Sequence, residues 1–480
     1  MRRNTESRTP QFHRLLRWIA LILVAGYSIL ALSGCASTPK VCAQGQPYSS
    51  CNSNMKSLGE IVDGRKEIVV FLVHGVGDYC PEYALDPEKG WIRTKSLAAL
   101  GLQPVTEKPE FRTHPVRLDG MADQPIAGQY TVGVGEFRYA TTGTRVVAVE
   151  ITWSQVTQWL KNSQLQFDEA ERSDAPKHRG STNSASATAS AKRSFEPHRC
   201  PEPRQPNIAR QPPPRASINR LLKEQTIDRG MADAILYAGS YGRTMRYALS
   251  EALCHGLKQA RAQLSNAHDP ASDDEGPCEW PDRASIDATR KTTAYVFVTH
   301  SLGSLMLFNV LSAIDDAQDF PDIRRSEDAA SGLVCLSPAF YMMANQVAFM
   351  GLSTDRIRQY VDAHGYDSSA MSATQAPRSS AALTLLNPGV AAVCDDGARP
   401  TMLLAAFSDT NDLLTWPFPP YVDVRNSEVH DVYVQNGTTW FGSVENPETA
   451  HANYFFNPDV WKVVLCGATH GVVSPQCWVP

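Results

Sequence analysis

One pentapeptide of this chain has the residue types and the spacing to support nucleophilic chemistry. In Thr299-His-Ser-Leu-Gly303, a serine stands between short or apolar residues. The apolar residues 294–298 before it predict a strand, and the apolar spacing of residues 304–314 after it predicts a helix. A sharp strand-to-helix turn exposes the serine hydroxyl, and the helix N-terminus favours the negative charge that develops in acyl transfer. Ser301 is therefore the candidate nucleophile.

The pentapeptide departs from the usual G-x-S-x-G pattern, because Thr299 stands in place of the first glycine. An ordinary Ser-Leu-Gly loop at the end of a strand is the alternative interpretation. The predicted strand and helix on either side favour the nucleophile, since such motifs count only in their structural context.

Acyl transfer by serine also needs a general base and a carboxylate that orients the base. Asp412 follows the apolar residues 401–407 and is the candidate acid, with Asp409 in the same loop as the second candidate. Either aspartate could instead stabilise a turn or cap a helix. His451 precedes the last predicted helix and is the candidate base, because histidine is the usual residue in this role. His470, beyond that helix, is the second candidate.

A fourth element would stabilise the oxyanion of the tetrahedral intermediate. The sequence His74-Gly75-Val76 directly follows the apolar run 67–73. A glycine there allows the backbone to turn an N–H toward the site, so the expected donors are the N–H groups of Gly75 or Val76 and of Leu302. His74 is expected to hold the loop in place. A phosphate-binding loop is the competing interpretation, but the glycine spacing fits neither common phosphate motif.

With these four elements the chain resembles the α/β-hydrolase superfamily, and in particular its bacterial lipase-like and esterase-like branch. The resemblance implies a serine hydrolase of carboxylic acyl esters that forms an acyl-enzyme on Ser301 and uses no cofactor. Its substrate would be a small-molecule or lipid ester. An acyltransferase with the same site is an alternative, as is a non-catalytic binding protein of the envelope on a hydrolase scaffold.

The elements that would position these residues alternate between strands and helices. Apolar runs at 67–73, 146–153, 332–336, 401–407 and 428–434 predict strands, and residues 457–466 predict a closing helix. This order predicts an α/β protein with a mostly parallel central sheet flanked by helices, as in the α/β-hydrolase fold, over residues 65–480. Residues 168–216 are rich in Ser, Ala, Pro and Arg, which predicts a disordered insertion.

The beginning of the chain has the pattern of a lipoprotein signal peptide. Residues 1–34 combine an arginine-rich start with an apolar stretch too short for a comfortable membrane span. The following Leu-Ser-Gly-Cys resembles a bacterial lipobox, which implies lipidation of Cys35, and the adjacent Ala36 implies export to the outer membrane. Residues 35–64 would then be a tether in the cell envelope. A plain cleaved signal peptide or an uncleaved anchor is the alternative.

Charge and cysteine content exclude some other functions. The net charge of −5, without a basic stripe, argues against a nucleic-acid partner. No C-x-x-C or H-E-x-x-H spacing occurs, so no metal site is predicted. Apart from Cys35, ten of the 11 cysteines remain, an even number that suggests disulfides in an exported protein. Connectivity does not follow from sequence, but neighbouring cysteines suggest the pairs Cys42–Cys51, Cys80–Cys200, Cys254–Cys278, Cys335–Cys394 and Cys466–Cys477.

Overall fold

The described strands of the computed structural model form one large sheet and one small one. The model describes residues 38–165, 222–265, 277–312, 321–351, 402–437 and 445–473, apart from short gaps at 63, 93–100, 106–107, 122, 140–141, 282–284, 286–287, 290–291, 420–421 and 424–426, together with 383–384. The strands are β1 (Lys40–Ala43), β2 (Glu67–Val73), β3 (Leu102–Pro104), β4 (Glu110–Arg117), β5 (Ile126–Tyr139), β6 (Arg145–Thr152), β7 (Thr293–His300), β8 (Ala339–Met343), β9 (Leu383–Thr384), β10 (Met402–Asp409), β11 (Val422–Asp423) and β12 (Ser427–Val434). The order in the large sheet is β1-β12-β10-β8-β7-β2-β6-β5-β3, with β4 also paired to β5, while β9 and β11 form the small sheet.

The centre of the large sheet is parallel and its margins are antiparallel. Six adjacent strands run parallel to one another: β12, β10, β8, β7, β2 and β6. All eight residues of β7 are buried, as expected for a parallel strand that is covered on both faces. In contrast, β1 runs antiparallel to β12, and β5 runs antiparallel to β6, β3 and β4. The prediction of a mostly parallel sheet therefore holds for the centre, and the whole sheet is mixed.

The antiparallel margin was missing from the sequence-based prediction because its longest strand is rich in glycine. Strand β5 contains Gly128, Gly133 and Gly135, and glycine weakens the apolar alternation that marks a strand. At Gly133 a side chain is excluded, because a Cβ atom there would overlap the ring of Phe111. The residue type that obscures the strand thus allows β4 and β5 to pack closely.

Helices cover both faces of the sheet. They are α1 (Leu58–Ile61), α2 (Gln155–Gln164), α3 (Ala232–Ala238), α4 (Gly242–Ser265), α5 (Leu302–Leu311), α6 (Pro321–Ser331), α7 (Val347–Gly351), α8 (Pro447–Ala452) and α9 (Pro458–Cys466). Helices α4, α5 and α6 pack on one face with side chains such as Phe71 and Phe297. Helix α9 packs on the other face with side chains such as Leu72 and Tyr341. The fold is therefore α/β, and the predicted closing helix is confirmed.

Two predicted segments differ from the structure. Residues 332–336 form a 3-10 helix, and the strand follows at Ala339–Met343, because a short apolar run does not by itself distinguish strand from helix. The described part of the predicted tether, from residue 38 onward, belongs to the fold: β1 joins the sheet edge and Ser57 caps α1. The interpretation of residues 35–64 as a tether is therefore wrong for this part.

The structure confirms two predicted disulfides and leaves the other three pairs open. Cys42 is bonded to Cys51, and Cys254 is bonded to Cys278. Cys80 and Cys466 are also disulfide-bonded, but their predicted partners Cys200 and Cys477 lie outside the described residues, as do Cys394, Cys35, the signal peptide 1–34 and the insertion 168–216. Among the helices of the described part, none combines the length and apolarity that a membrane span requires.

Candidate active site

Ser301 occupies a strained turn between β7 and α5. Its backbone has φ 52° and ψ −126°, a conformation that side-chain-bearing residues rarely adopt. The surrounding structure holds this turn: the Ser301 N–H donates to the Met343 carbonyl oxygen at 2.8 Å. A Cβ atom on Gly303 would overlap the His74 carbonyl oxygen, so this position requires glycine. Strand, turn and helix therefore have the arrangement that the pentapeptide predicts.

Thr299 is accommodated because it belongs to β7 and has an extended backbone. Its hydroxyl is 2.8 Å from the Ser304 hydroxyl in the first turn of α5 and 3.5 Å from the Tyr341 carbonyl oxygen. The threonine thus joins the end of the strand to the start of the helix. A glycine at this position would lose that contact, which gives a physical reason for the departure from G-x-S-x-G.

His451 lies between Ser301 and Asp412. Its Nε2 is 3.0 Å from Ser301 Oγ, and its Nδ1 is 2.9 Å from Asp412 Oδ2 and 3.0 Å from Asp412 Oδ1. Since a carboxylate only accepts, Nδ1–H donates to Asp412 and leaves Nε2 to accept the Ser301 hydroxyl proton. Helix α8 positions the imidazole, and the Asn446 side chain caps the N-terminus of that helix.

The Asp412 carboxylate is buried but remains well supplied with donors. Burial raises the pKa of this carboxyl. The hydrogen bond and charge of His451 lower it, as do the Leu414 N–H at 2.9 Å and the Tyr454 hydroxyl at 3.1 Å. Together these partners outweigh burial, so the pKa of Asp412 lies below its usual value. The Tyr454 hydroxyl also accepts the Asp409 N–H at 2.6 Å. Because the Asp412 carboxylate can only accept, the single hydroxyl proton of Tyr454 points at Asp412.

The two second candidates are not brought to Ser301. The Asp409 carboxylate accepts the N–H groups of Asn411 and Asn436, so it fixes two loops, and burial raises its pKa. Within the described residues it makes no hydrogen bond to His451. His470 is exposed beyond α9, where its N–H donates to Asn54 Oδ1 at 2.8 Å. The sequence ranked Asp409 and His470 second to Asp412 and His451, and the contacts agree with that ranking.

The predicted oxyanion loop passes directly beside the nucleophile. A Cβ atom on Gly75 would lie 2.5 Å from Ser301 Cβ and 2.8 Å from the His300 carbonyl oxygen, so only glycine fits without a shift. Leu302 is the first residue of α5, where an N–H has no intrahelical acceptor. The N–H groups of Gly75, Val76 and Leu302 have no hydrogen-bond acceptor among the described residues. They are therefore available to a bound oxyanion.

His74 holds this loop in place, as predicted, but through partners that the sequence did not reveal. Its Nδ1–H donates to the Gly75 carbonyl oxygen at 2.8 Å, and Nε2 accepts the Trp153 N–H at 3.0 Å. The Trp153 and Tyr79 rings stack on the imidazole at 4.7 and 4.4 Å. Burial lowers the pKa of His74 to about 3, so the ring is neutral at ordinary pH.

A buried ion cluster anchors the other end of the loop. Lys161 Nζ lies 2.8 Å from Asp78 Oδ1 and 2.9 Å from Asp233 Oδ1, and the Gly77 N–H donates to Asp233 Oδ2 at 2.8 Å. Both Lys161 and Asp233 are fully buried. Asp78 is adjacent to the glycine-rich motif, but the sequence carries no signal for the other two residues. Their helices, α2 and α3, lie far from that motif in the chain.

His300 connects the turn at Ser301 to the segment that carries His451. Its Nε2–H donates to the His451 carbonyl oxygen at 2.8 Å, and the two imidazole rings are 5.0 Å apart. Burial lowers the pKa of His300 to about 3. This neutral histidine therefore supports the backbone of His451 and does not compete for the Ser301 proton.

We looked for two further indications of function, a metal-binding group and a similar known protein. The described residues contain no group of three or more histidine, cysteine or acidic side chains that could hold a metal ion. No protein-family model, curated protein or solved structure matches the chain. The argument about function therefore depends on the geometry of the site.

Proposed function

We propose that the protein is a serine hydrolase of carboxylic acyl esters, of the lipase and esterase type, on an α/β-hydrolase fold. One observation carries the proposal: Ser301 Oγ is 3.0 Å from His451 Nε2, and His451 Nδ1 is 2.9 Å from Asp412 Oδ2. A nucleophile within hydrogen-bond reach of a base, which a carboxylate orients in turn, is the arrangement that acyl transfer requires.

In the proposed acylation, Ser301 Oγ forms a bond to the ester carbonyl carbon while its proton passes to His451 Nε2. The negative charge on the carbonyl oxygen would be stabilised by the N–H groups of Gly75 or Val76 and of Leu302, since fixed donors stabilise developing charge in a water-poor site. The C–O bond of the ester then breaks, and His451 returns the proton to the leaving alcohol oxygen. Asp412 stabilises the intermediate imidazolium by its negative charge.

In the proposed deacylation, His451 takes a proton from water, and the water oxygen attacks the acyl carbon on Ser301. The same N–H groups stabilise the second tetrahedral intermediate. The Ser301–acyl bond breaks, and the proton returns from His451 to Ser301 Oγ. No step requires a cofactor, because every proton is transferred between Ser301, His451 and the bound molecules.

Turnover of short p-nitrophenyl acyl esters and labelling by a fluorophosphonate test this function. The wild-type protein is expected to show both, and Ser301→Ala is expected to show neither. The neighbouring Ser304 supplies the matched control, because Ser304→Ala makes the same change at another buried serine in the first turn of α5. This control variant is expected to retain labelling. Labelling that persists in Ser301→Ala would refute the assignment of the nucleophile.

The acceptor of the acyl group is a separate question. Product analysis with and without an added alcohol distinguishes hydrolysis from acyl transfer at the same Ser301. For the cellular location, we propose a lipid anchor on Cys35 in the bacterial cell envelope, at the outer membrane. The lipobox-like sequence at residues 32–35 supports that location.

A further inference from the structure

The path of the chain into the fold relates the proposed anchor to the candidate active site. Strand β1 runs antiparallel to β12, with Lys40 opposite Tyr433, and Tyr433 also lies opposite Ser408 near the end of β10. The chain therefore enters the sheet at the carboxyl end of its parallel strands. Ser301 follows β7 at that same edge.

The length of chain before Lys40 limits how far this edge can lie from an anchor. Cys35 precedes Lys40 by five residues, and an extended chain spans at most about 3.3–3.6 Å per residue, which gives roughly 17 Å. Along the sheet, β1 and β7 are separated by four strand spacings of about 4.8 Å each, or roughly 19 Å. An anchor on Cys35 would thus keep the edge that holds Ser301 close to the membrane.

Exposed apolar side chains next to the triad acid have the chemistry of a lipid contact. Leu413, which directly follows Asp412, is 68% exposed, and Phe349 is 44% exposed. The Phe349 ring stacks on the Trp416 ring at 4.7 Å. The Trp416 N–H donates to the Asn345 carbonyl oxygen at 3.2 Å, so the loop that carries Leu413 and Trp416 is tied to the segment between β8 and α7. Clustered exposed apolar groups of this kind mark binding sites, and tryptophan favours membrane interfaces.

A further exposed apolar side chain lies at the same edge, on the opposite side of Ser301. Ile126 is 60% exposed and stands at the start of β5, beyond the Thr131–Thr152 pair at the carboxyl end of β6. Exposed apolar groups therefore lie on both sides of the candidate active site.

We propose that this edge of the sheet lies against the membrane and that the substrates are acyl esters of bilayer lipids. We call this surface the carboxyl-edge surface; it comprises Leu413, Trp416, Phe349 and Ile126. The substrate class rests on the proposed hydrolase function, whereas the orientation rests on the position of β1 and the proposed anchor. A lipid ester would then reach Ser301 from the bilayer without crossing the aqueous phase.

The orientation is tested by two single tryptophan substitutions in the full-length lipoprotein, reconstituted in phosphatidylethanolamine and phosphatidylglycerol vesicles with brominated acyl chains. Leu413→Trp places the probe on the carboxyl-edge surface. Val105→Trp is the matched control, because Val105 is 48% exposed and lies at the opposite edge of the sheet. Its N–H donates to the Glu136 carbonyl oxygen, and Glu136 pairs with Val147 near the amino end of β6. The fluorescence added by Leu413→Trp is expected to be quenched at least two-fold, and that added by Val105→Trp to be unquenched. Equal quenching, or the reverse, would overturn the orientation.

The substrate class is tested separately by turnover. Leu413→Asp introduces a charge at the surface and is expected to lower turnover of vesicle-embedded acyl esters about ten-fold more than turnover of a short soluble ester. An equal effect on both esters would overturn the lipid-ester proposal. If the wild-type protein hydrolyses neither ester, the hydrolase function fails while the quenching result still decides the orientation. A protein that does not stay with the vesicles would refute both the anchor and the orientation.

Discussion

Replacing Gly75 by alanine tests how closely the oxyanion loop approaches the nucleophile. The new Cβ atom would lie 2.5 Å from Ser301 Cβ, 2.8 Å from the His300 carbonyl oxygen and 2.9 Å from His300 Nδ1. Carbon atoms in contact are normally about 3.5–4.0 Å apart, so the loop and the nucleophile must separate by roughly 1 Å. A displacement of about 1 Å can reduce the rate roughly 10²-fold, and overpacking of this kind costs about 1–3 kcal/mol of unfolding free energy.

The assay compares kcat/KM for a short p-nitrophenyl ester with the melting temperature of the same preparation. Gly75→Ala is expected to lower kcat/KM about 10²-fold while the protein remains folded at the assay temperature. Gly59→Ala is the matched control, because the nearest atom to its new Cβ would be Ser57 Oγ at 3.9 Å. Wild-type kcat/KM in a folded Gly75→Ala variant would refute the close approach of the loop to Ser301.

Three further predictions concern the strain at Ser301, the candidate acid and the buried charge. Ser301→Gly and Ser301→Ala both remove the hydroxyl, but only glycine suits φ 52°, so thermal unfolding should find Ser301→Gly more stable by about 1 kcal/mol; the opposite order would argue against strain. Asp412→Asn is expected to lower kcat on the order of 10⁴-fold, whereas Asp409→Asn should mainly lower the melting temperature; equal losses of kcat would contradict the assignment. Lys161→Met removes the cation that contacts the Asp78 and Asp233 carboxylates and should cost about 3–5 kcal/mol in urea unfolding; an unchanged midpoint would show that the cluster is not stabilising.

The residues of the candidate site were predictable where they follow apolar strands. Ser301, Asp412 and His451 each lie after a recognisable strand or before a recognisable helix, so their order along the chain could be read directly. The sequence ranked Asp412 before Asp409 but did not exclude Asp409, because both carboxylates come at or just after the end of β10. Contacts from distant segments decide between the two: His451 and Tyr454 bind Asp412, and backbone N–H groups occupy the Asp409 carboxylate.

The parts of the fold that escaped prediction lack a local pattern. Strand β1 has only four residues at the sheet edge, and β5 is interrupted by glycines. Lys161 and Asp233 have ordinary positions in their helices, and nothing in the sequence marks their burial or their pairing. Their role depends on long-range packing that brings α2 and α3 to the loop after β2.

The two neutral histidines beside the nucleophile affect how any pH dependence can be assigned. Burial holds the pKa of both His74 and His300 at about 3. Both nitrogens of His74 bind backbone groups, of Gly75 and Trp153, and His300 Nε2 binds the His451 carbonyl oxygen. Neither ring therefore changes its charge across the neutral range. A change in labelling or turnover across the neutral pH range would therefore have to come from a group other than these two histidines.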